Sequence, residues 1–430
     1  MFKKILIANR GEIALRIIYA CRELGIQTVV AHSQADEHSL PVRFADQEVC
    51  IGPARSRDSY LNVPAIITAA EITGADAIHP GYGFLSESAY LAEACDACRI
   101  TFIGPPADVL RLLGDKSRAR RAMRKAGLPV IPGTESLKDV KAARRAARRL
   151  GYPVMIKASS GGGGKGMRIA PDAASFANMF QAAQTEAGAA FSDPDVYLEK
   201  CIVEPKHVEF QVFGDQYGRV VHLGERDCSI QRRHQKLIEE APSPVLTPEL
   251  REKMGEAAVK VAKGIDYVGA GTVEFLVDSD GSFYFIEMNT RIQVEHPVTE
   301  VTTGLDLVKE QIHVAAGEPL SFPSEIPQVR GHAIEFRVNA EDAFRNFAPC
   351  PGPITTFHPP GGPGVRLDTH LYSGYQVPPQ YDSLLAKLIV SGRDRDETIV
   401  RARHALESFV IEGIKTTIPF LHEITQNDEF

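Results

Sequence analysis

Short apolar runs alternate with amphipathic stretches over the first quarter of the chain. Lys4–Ala8 is an aliphatic run typical of a strand, and Glu12–Leu24 has the apolar spacing of a helix. The same alternation predicts further elements at Gln27–Ala31 (strand), Ile66–Thr73 (helix), Ala77–His79 (strand), Ser88–Ala97 (helix) and Thr101–Ile103 (strand). Repeated strand–helix units indicate a parallel, doubly wound sheet. Residues 1–113 are therefore predicted to form an α/β N-terminal domain.

Gly and Pro residues divide the rest of the chain. A basic helix predicted at Asp115–Ala126 ends at Gly127-Leu128-Pro129, which is a helix stop signal. The elements predicted after it are a helix at Val140–Leu150, a strand at Pro153–Ala158, a glycine-rich loop, a strand at Met167–Ala170 and a helix from Ala173. A change near Arg330-Gly331 opens a β-rich end with many Pro and Gly residues at Pro349–Gly364, and this end closes with a helix at Asp396–Phe409. These boundaries predict a domain at residues 114–330, with a subdomain at about 130–202, and a last domain at 331–430.

An acidic hairpin is predicted at Val273–Val277 and Phe283–Met288, with Asp-Ser-Asp-Gly as its turn. Pairing these strands places Glu274 opposite Glu287, about 5 Å apart. Two carboxylates at that distance repel each other unless a cation lies between them. Oxygen ligands alone favour Mg²⁺ or Mn²⁺ over zinc. A salt-bridged surface hairpin is the alternative explanation.

The polar residues that follow the hairpin recur at every second position. Asn289, Arg291, Gln293 and Glu295 would share one side of an extended segment, with Ile292 on the other side. An arginine among amides and acids suits an anion. The pattern predicts an anion-binding strip beside the metal site.

Composition narrows the class of protein. The chain has 430 residues, of which 44% are hydrophobic and 24% charged, and a net charge of −7. These values are typical of a globular protein and give no general attraction to nucleic acid or to an anionic membrane surface. The seven cysteines are scattered, no apolar run reaches the ~20 residues of a membrane span, and the N-terminal run is interrupted by Asn9-Arg10-Gly11-Glu12. A cytoplasmic location is expected.

A glycine-rich loop at Ser159–Gly166 is the second candidate for phosphate chemistry. It is not a P-loop, because Gly166 replaces the Ser or Thr that should follow Lys165, and a strand comes next. Glycines between two strands predict a flap, open without nucleotide, whose amides close over phosphates. Lys157 on the incoming strand is a natural phosphate ligand. A mobile hairpin tip without function is the alternative.

Two further segments carry weaker signals. Glu199–Ile202 ends a strand where backbone groups are able to read an adenine edge. Arg232–Lys236 is a cluster of cations beside acids, which suits an anionic substrate, although charge-paired surface strands would also explain it.

These motifs together resemble a known family. The segment Glu287–Pro297 with Glu274, the glycine flap, Lys116 and Lys157 resembles ATP-grasp enzymes. Within that superfamily, the whole chain is similar to biotin carboxylases through Ala8–Ala14, His79–Glu87, Gln231–Lys236 and Glu335–Asp342. The resemblance implies an ATP-grasp fold with a doubly wound parallel N-terminal domain, a mobile glycine-rich lid and a β-rich C-terminal domain.

The resemblance also implies a reaction. ATP phosphorylates bicarbonate to carboxyphosphate, which then carboxylates biotin held on a biotin carboxyl carrier protein. Carboxyltransferase subunits and a homodimer are the further partners expected. Acetyl-CoA carboxylase, and hence fatty acid synthesis, is one setting, and pyruvate or propionyl-CoA carboxylase is another. The competing classes are another ATP-grasp ligase and a catalytically silent nucleotide-binding subunit.

The resemblance implies a role for each residue of the site. The predicted metal ligands are Glu274, Glu287 and Asn289. The predicted nucleotide ligands are Lys116, Lys157, Gly162, Gly163, Gly164, Lys165, Gly166, Glu199, the backbone of Lys200 and Ile202, His207, Gln231 and His234. Bicarbonate is assigned to Lys236, Arg291, Gln293 and the Val294 amide, the general base to Glu295, the biotin enolate to Arg337 and the biotin pocket to Tyr82, with Arg16 and Asp382 as weaker candidates.

The chain departs from the family at three places. Tyr19 and Pro363 stand where an arginine and a phenylalanine help to build the dimer contact, although Glu23 and Arg366 remain. We therefore expect a dimer with an altered contact. The chain stops shortly before the family's usual last helix, so that either trimming or a longer polypeptide is expected. Lys253-Met254 lacks the Ala-Met-Lys-Met context, and this chain is not expected to carry biotin itself.

Overall fold

The computed structural model describes residues 1–125, 127–159, 167–191, 194–322 and 328–430. The strands are β1 Lys4–Ile7, β2 Gln27–Ser33, β3 Gln47–Gly52, β4 Ala77–His79, β5 Thr101–Phe102, β6 Val154–Ala158, β7 Met167–Ala170, β8 Val196–Lys200, β9 Lys206–Gly214, β10 Val220–Arg232, β11 Gln235–Ala241, β12 Gly269–Val277, β13 Phe283–Asn289, β14 His332–Asn339, β15 Glu341–Asp342, β16 Ala348–Pro349, β17 Gly352–Pro353, β18 Thr356–His358, β19 Val365–Thr369, β20 Gln376–Val377, β21 Leu384–Gly392 and β22 Val410–Glu412. The α-helices are α1 Gly11–Glu23, α2 Leu40–Phe44, α3 Val63–Thr73, α4 Ala89–Ala97, α5 Ala107–Gly114, α6 Lys116–Lys125, α7 Val140–Leu150, α8 Phe176–Phe191, α9 Pro248–Lys263, α10 His296–Thr303, α11 Leu307–Ala315, α12 Arg395–Ser408 and α13 Ile418–Thr425.

The chain forms two compact units. The first contains residues 1–122, 207–274 and 287–430, and the second contains residues 123–206 and 275–286. The division into three domains predicted from the sequence remains a prediction beside these two units. In the described ranges, no helix has both the length and the apolar character needed to cross a membrane. The cytoplasmic location stays a prediction.

The first unit begins with a five-stranded parallel sheet in the order β3-β2-β1-β4-β5. Its helices have local start and stop signals: the Asn62 side chain caps α3 at the amide of Ala65, and Gly74 ends it at φ 65°. The doubly wound parallel sheet predicted for the N-terminal residues is therefore confirmed. β3 was not predicted, because its exposed polar positions mask the apolar pattern of a strand.

A larger sheet supports the candidate site. Its strand order is β13-β12-β9-β10-β11-β14-β21-β19. One face of β14 packs Ile334, Phe336 and Val338 into a core with residues of α12 and α13. The other face turns Glu335 and Arg337 toward buried neighbours, because side chains alternate along a strand.

The second unit contains a three-stranded antiparallel sheet in the order β7-β6-β8. Alanines of α7 and Phe176 and Phe180 of α8 cover it. The predicted bounds of Val140–Leu150 and Met167–Ala170 are those observed. The predicted flap, including Gly162, Gly163, Gly164, Lys165 and Gly166, lies outside the described residues.

Candidate active site

Lys236 is the centre of a buried group of charges in the first unit. Its Nζ lies 2.6 Å from Glu209 Oε2, 2.5 Å from Glu295 Oε1 and 3.3 Å from Glu274 Oε1. Burial disfavours the ammonium ion, but the charges of Glu209 and Glu295 outweigh burial and raise the pKa of Lys236 well above its usual value. The lysine therefore presents a fixed positive charge.

Glu295 lies between Lys236 and Arg337 at the start of α10. Arg337 Nη2 donates to Glu295 Oε2 at 2.9 Å, and Arg337 Nε donates to Glu239 Oε1 at 2.6 Å. Although burial opposes it, the charges of Lys236 and Arg337 hold the pKa of Glu295 well below its usual range. Glu295 is thus an ionised carboxylate, the form that a general base requires.

Glu274 accepts hydrogen bonds on both of its oxygens. Oε1 accepts from Asn289 Nδ2 at 2.7 Å and from Gln293 Nε2 at 2.9 Å, and Oε2 lies 2.8 Å from His207 Nε2. Burial raises the pKa of Glu274, but the charge of Lys236 and the hydrogen bond with His207 lower it more, and the net direction is down. A second hydrogen bond joins His207 Nδ1 to Gln231 Nε2 at 2.7 Å.

The predicted metal ligands fit a hard cation in their chemistry. Glu274 is buried and ionised, Asn289 is its direct neighbour, and Glu287 is half-buried on β13. Carboxylate and amide oxygens are the donors that Mg²⁺ and Mn²⁺ prefer. Among the described residues, His207 and Glu209 also lie close enough to Glu274 to share a cation with it. The directly opposed register of Glu274 and Glu287 remains a prediction.

The segment after β13 is a loop and not the extended strand expected from its alternation. Its polar side chains nevertheless converge: Gln293 contacts Glu274 and Lys236, while Glu295 contacts Lys236. Ile292 is fully buried in the core. Arg291 differs from these residues, because its Nε lies 3.3 Å from Glu87 and its Nη2 3.2 Å from Asn289 Oδ1.

A buried lysine, Lys387, donates a hydrogen bond to the backbone of the same loop. Lys387 on β21 is fully buried and donates from Nζ to the Val294 carbonyl at 3.0 Å. The same Nζ lies 3.1 Å from Glu12 Oε1. The Tyr82 hydroxyl also contacts Glu12, and the Tyr82 ring centroid is 5.9 Å from Lys387 Nζ. Lys387 and Glu12 therefore link the predicted biotin residue Tyr82 to the predicted bicarbonate loop.

The second unit contains its own pair of predicted ligands. Lys157 Nζ lies 2.6 Å from Glu199 Oε2, on a sheet where Glu199 is opposite Met155. The Lys200 amide donates to the Pro132 carbonyl at 2.8 Å, and Ile202 is buried. Lys116 begins α6, and its side chain lies outside what the structure describes.

Most of the chain matches models of known protein families. Family models match residues 1–110 (biotin carboxylase, N-terminal domain), 115–322 (carbamoyl-phosphate synthase L chain, ATP binding domain) and 335–430 (biotin carboxylase C-terminal domain). A biotin carboxylase of Nostoc sp. is 57% identical over 430 residues, which are 100% of this chain and 96% of the relative.

The chain belongs to the biotin carboxylase family. The resemblance inferred from the motifs is confirmed, and so is the ATP-grasp type of α/β fold.

Two further relatives widen the comparison within biotin-dependent carboxylases. One subunit of the pyruvate carboxylase of Methanothermobacter thermautotrophicus is 55% identical, and the match covers 100% of this chain and 88% of that relative. The biotin carboxylase domain dimer of Hydrogenobacter thermophilus 2-oxoglutarate carboxylase, solved with MgADP, ADP and bicarbonate, has a TM-score of 0.92 and 51% identity. The match covers 100% of this chain and 95% of that one. Membership of the family therefore does not select one final acceptor.

Some predicted residues of this family member lie apart from the Lys236 group. His234 is exposed at the turn between β10 and β11, at φ 66°, and Asp382 is exposed and accepts from the Leu384 amide. Arg16 contacts Glu300 at 2.9 Å and Asp306 at 2.7 Å, so its contacts are with helices α10 and α11. Arg232, from the cation cluster predicted to suit an anionic substrate, donates to Asn346.

Four residues that contact the predicted site were not predicted as members of it: Glu12, Glu209, Glu239 and Lys387. Arg226 was also not predicted, and it is connected to the site through Glu209. Arg226 is fully buried and donates to Glu209 at 2.6 Å and to Gln211 at 2.8 Å. The available signal was the alternation of Glu209 and Gln211 with apolar residues on a strand. A polar stripe on an otherwise apolar strand indicates either a solvated face or a buried network. Because Glu209 and Gln211 are both 0% exposed, the structure contains the buried network.

Proposed function

We propose that this chain catalyses the ATP- and bicarbonate-dependent carboxylation of biotin through carboxyphosphate. The observation that supports this most is the placement of Glu295 between Lys236 and Arg337, with each of its oxygens held by a different cation. The enzyme is an ATP-dependent ligase that forms a carbon–nitrogen bond, as its family membership implies.

The first half-reaction is assigned to Lys236, Glu295 and their loop. Bicarbonate binds to Lys236 and Arg291, with Gln293 and the Val294 amide completing its contacts. The bicarbonate anion competes with Glu295 for Lys236, which weakens the interaction that keeps the Glu295 pKa low. Glu295 then accepts the bicarbonate proton, and the bicarbonate oxygen attacks the γ-phosphate of ATP, with ADP as the leaving group.

Mg²⁺ or Mn²⁺, held by Glu274, Glu287 and Asn289, supplies charge neutralisation at the phosphates. Lys157 is assigned to the same phosphates, Glu199 to adenine, and His207 and Gln231 to the nucleotide. Lys116, His234 and the glycines of residues 162–166 keep the roles that the resemblance implies. The metal roles and nucleotide roles are proposals supported by residue chemistry.

The second half-reaction is assigned to Arg337 and Tyr82. A guanidinium stays protonated throughout, so Arg337 is suited to hold the enolate oxygen of biotin and unsuited to act as a base. Tyr82 lines the biotin side, where Glu12 and Lys387 orient it. Carboxyphosphate dissociates into CO₂ and phosphate, and the phosphate accepts the proton of the ureido nitrogen. The resulting biotin enolate attacks CO₂ through that nitrogen, and the protonated phosphate is released.

We propose a biotin carboxyl carrier protein and carboxyltransferase subunits as partners, and a homodimer as the assembly. The related 2-oxoglutarate carboxylase domain was solved as a dimer. Tyr19 is 44% exposed, as a residue of a dimer contact would be in one isolated chain. Light scattering of the purified chain tests the dimer, and a monomer at micromolar concentration would contradict it.

The function is tested by measuring phosphate release and carboxybiotin side by side. The purified chain receives ATP, Mg²⁺, bicarbonate and free biotin, and each substrate is omitted in turn. We expect carboxybiotin only with all of them. A rate of ATP cleavage that does not depend on bicarbonate but increases with ammonium or amino acids would identify another ATP-grasp ligase. Candidate carrier proteins, supplied one at a time in place of free biotin, then identify the natural acceptor.

A further inference from the structure

Two buried carboxyl groups face each other behind Arg337. Glu239 on β11 is directly opposite Glu335 on β14 in the antiparallel register, and both residues are 0% exposed. Residues opposite each other share one face of the sheet, with Cβ atoms about 5 Å apart. The two groups therefore lie on one buried face of the sheet, and the reaction proposed above leaves both of them without a role.

The pair has more acceptors than donors. Glu239 Oε1 accepts from Arg337 Nε, whereas Glu239 Oε2 and both oxygens of Glu335 have no hydrogen-bond partner among the described residues. An unsatisfied buried acceptor is costly, and two facing carboxylates repel each other. A single proton on the pair removes the repulsion and provides the missing donor.

The surroundings favour that proton on Glu335. The titratable and charged groups that face the pair from the neighbouring elements are Arg337 on β14, Lys387 on β21, Lys236 on β11, Cys228 on β10, Glu295 at the start of α10 and Tyr82 after β4. Burial raises the pKa of Glu335 well above its usual value; Lys387 opposes that rise and Glu239 adds to it. Burial also raises the pKa of Glu239, but Arg337 opposes it directly through a hydrogen bond.

We propose that Glu335 is a positioning residue that keeps its proton at neutral pH and donates it in a hydrogen bond to Glu239 Oε2. Glu239 Oε1 then remains a charged acceptor for Arg337, and the guanidinium is held in one orientation toward Glu295 and biotin. Loss of the proton would place two charges side by side and release Arg337. The inference rests on the role of Arg337 in the proposed function, but the protonation itself does not.

Infrared spectroscopy of the full chain at pH 7, without substrates, tests the protonation. We expect a protonated-carboxyl band that disappears in Glu335→Gln. The matched control is Glu240→Gln, on the same strand as Glu239 but the opposite face, where hydrogen bonds with His332 and Arg395 outweigh burial and lower the carboxyl pKa. That control should keep the band. A band unchanged in Glu335→Gln, or its loss in the control as well, would overturn the proposal.

Activity then tests the positioning. Glu335→Leu should lower carboxybiotin formation about tenfold while phosphate release changes little, since one buried hydrogen bond is lost. Glu335→Gln, which restores a donor, should recover most of the loss. Wild-type carboxybiotin formation should fall at alkaline pH as Glu335 loses its proton, and Glu335→Gln should not show that fall. Equal rates in Leu and Gln variants would overturn the positioning role. If neither variant folds, the infrared protonated-carboxyl band of the wild-type protein is followed as the pH is changed. Absence of that band at pH 7 would contradict the proposal.

Discussion

The group of charges around Lys236 in the first unit and the Arg168–Glu186 ion pair in the second unit differ in their burial. In the first unit, the Lys236 side chain is 13% exposed and has three carboxylates within 3.3 Å. In the second unit, Arg168 and Glu186 form an ion pair at 3.2 Å, and both side chains are 42% exposed. The Lys236 group is a buried network, whereas the Arg168–Glu186 pair lies at the surface.

Burial decides what each of these two groups of charges contributes. A surface pair is screened by water and contributes little to stability. Buried charges are costly to desolvate, and breaking one of their pairs is more costly still. Such a network holds its members in fixed positions before substrate arrives, which is the condition for electrostatic catalysis.

The largest effect is expected from Glu295→Gln. The variant keeps the size of the side chain but removes the base, whose contribution is typically ~10²–10⁴ in rate. Bicarbonate-dependent phosphate release should therefore be abolished, together with carboxybiotin. Near-normal phosphate release in this variant would show that the network does not hold the base.

Arg337→Gln should separate the two half-reactions. Loss of one charge-stabilising donor costs ~10²–10³ in rate. Carboxybiotin formation should fall by that factor, while much of the bicarbonate-dependent phosphate release remains. If Glu295→Gln and Arg337→Gln lose both activities equally, the network acts as one unit and the division of roles is wrong.

Glu274→Gln and Glu287→Gln should both raise the Mg²⁺ concentration needed for half-maximal turnover. We expect at least about a tenfold rise, since even residues around a metal's direct ligands cause losses of that size. Circular dichroism should show that the fold survives. If either variant has the metal dependence of the wild type, the residue changed in that variant is not a metal ligand.

Asp368→Asn tests the stabilising effect of a charge pair in the first unit, where Asp368 Oδ2 lies 2.7 Å from Arg366 Nη2 and 3.9 Å from Lys387 Nζ. Burial raises the pKa of Asp368, but the hydrogen bonds from Arg366 outweigh it and lower that pKa to about 2, below the unfolded value. The ionised carboxylate therefore adds stability above pH ~4, and the gain is lost as pH falls toward ~2. We expect the free energy of unfolding at pH 7 to drop by about 2 kcal/mol in Asp368→Asn. The difference from wild type should shrink toward pH 2 in denaturant titrations.

The smallest effect is expected from Glu186→Gln in the second unit. Its exposed pair with Arg168 should contribute under about 1 kcal/mol to the free energy of unfolding, and less at high salt. The same denaturant titrations provide the measurement. A loss as large as that of Asp368→Asn would contradict the contrast between the two units.

The sequence by itself determined the local elements and the family. The apolar spacing of Ala77–His79 and Val140–Leu150 gave the bounds that the structure has, because side-chain periodicity is a local property. The motif from Glu287 to Pro297 was sufficient, with its companions, to place the chain among biotin carboxylases. Proposed roles for Glu295 and Arg337 came from the same resemblance.

Only the tertiary structure decided which residues surround these motifs. Glu239, Glu335 and Lys387 are separated by up to 148 positions in the chain (387 minus 239), and the register of β11, β14 and β21 alone brings them together. The conformation of the loop after β13 likewise depends on the burial of Ile292 and on the hydrogen bond from Gln293 to Glu274. The alternation of polar and apolar residues in this segment did not predict it. Pairing between distant strands depends on the packing of the whole sheet, and no short stretch of sequence encodes it.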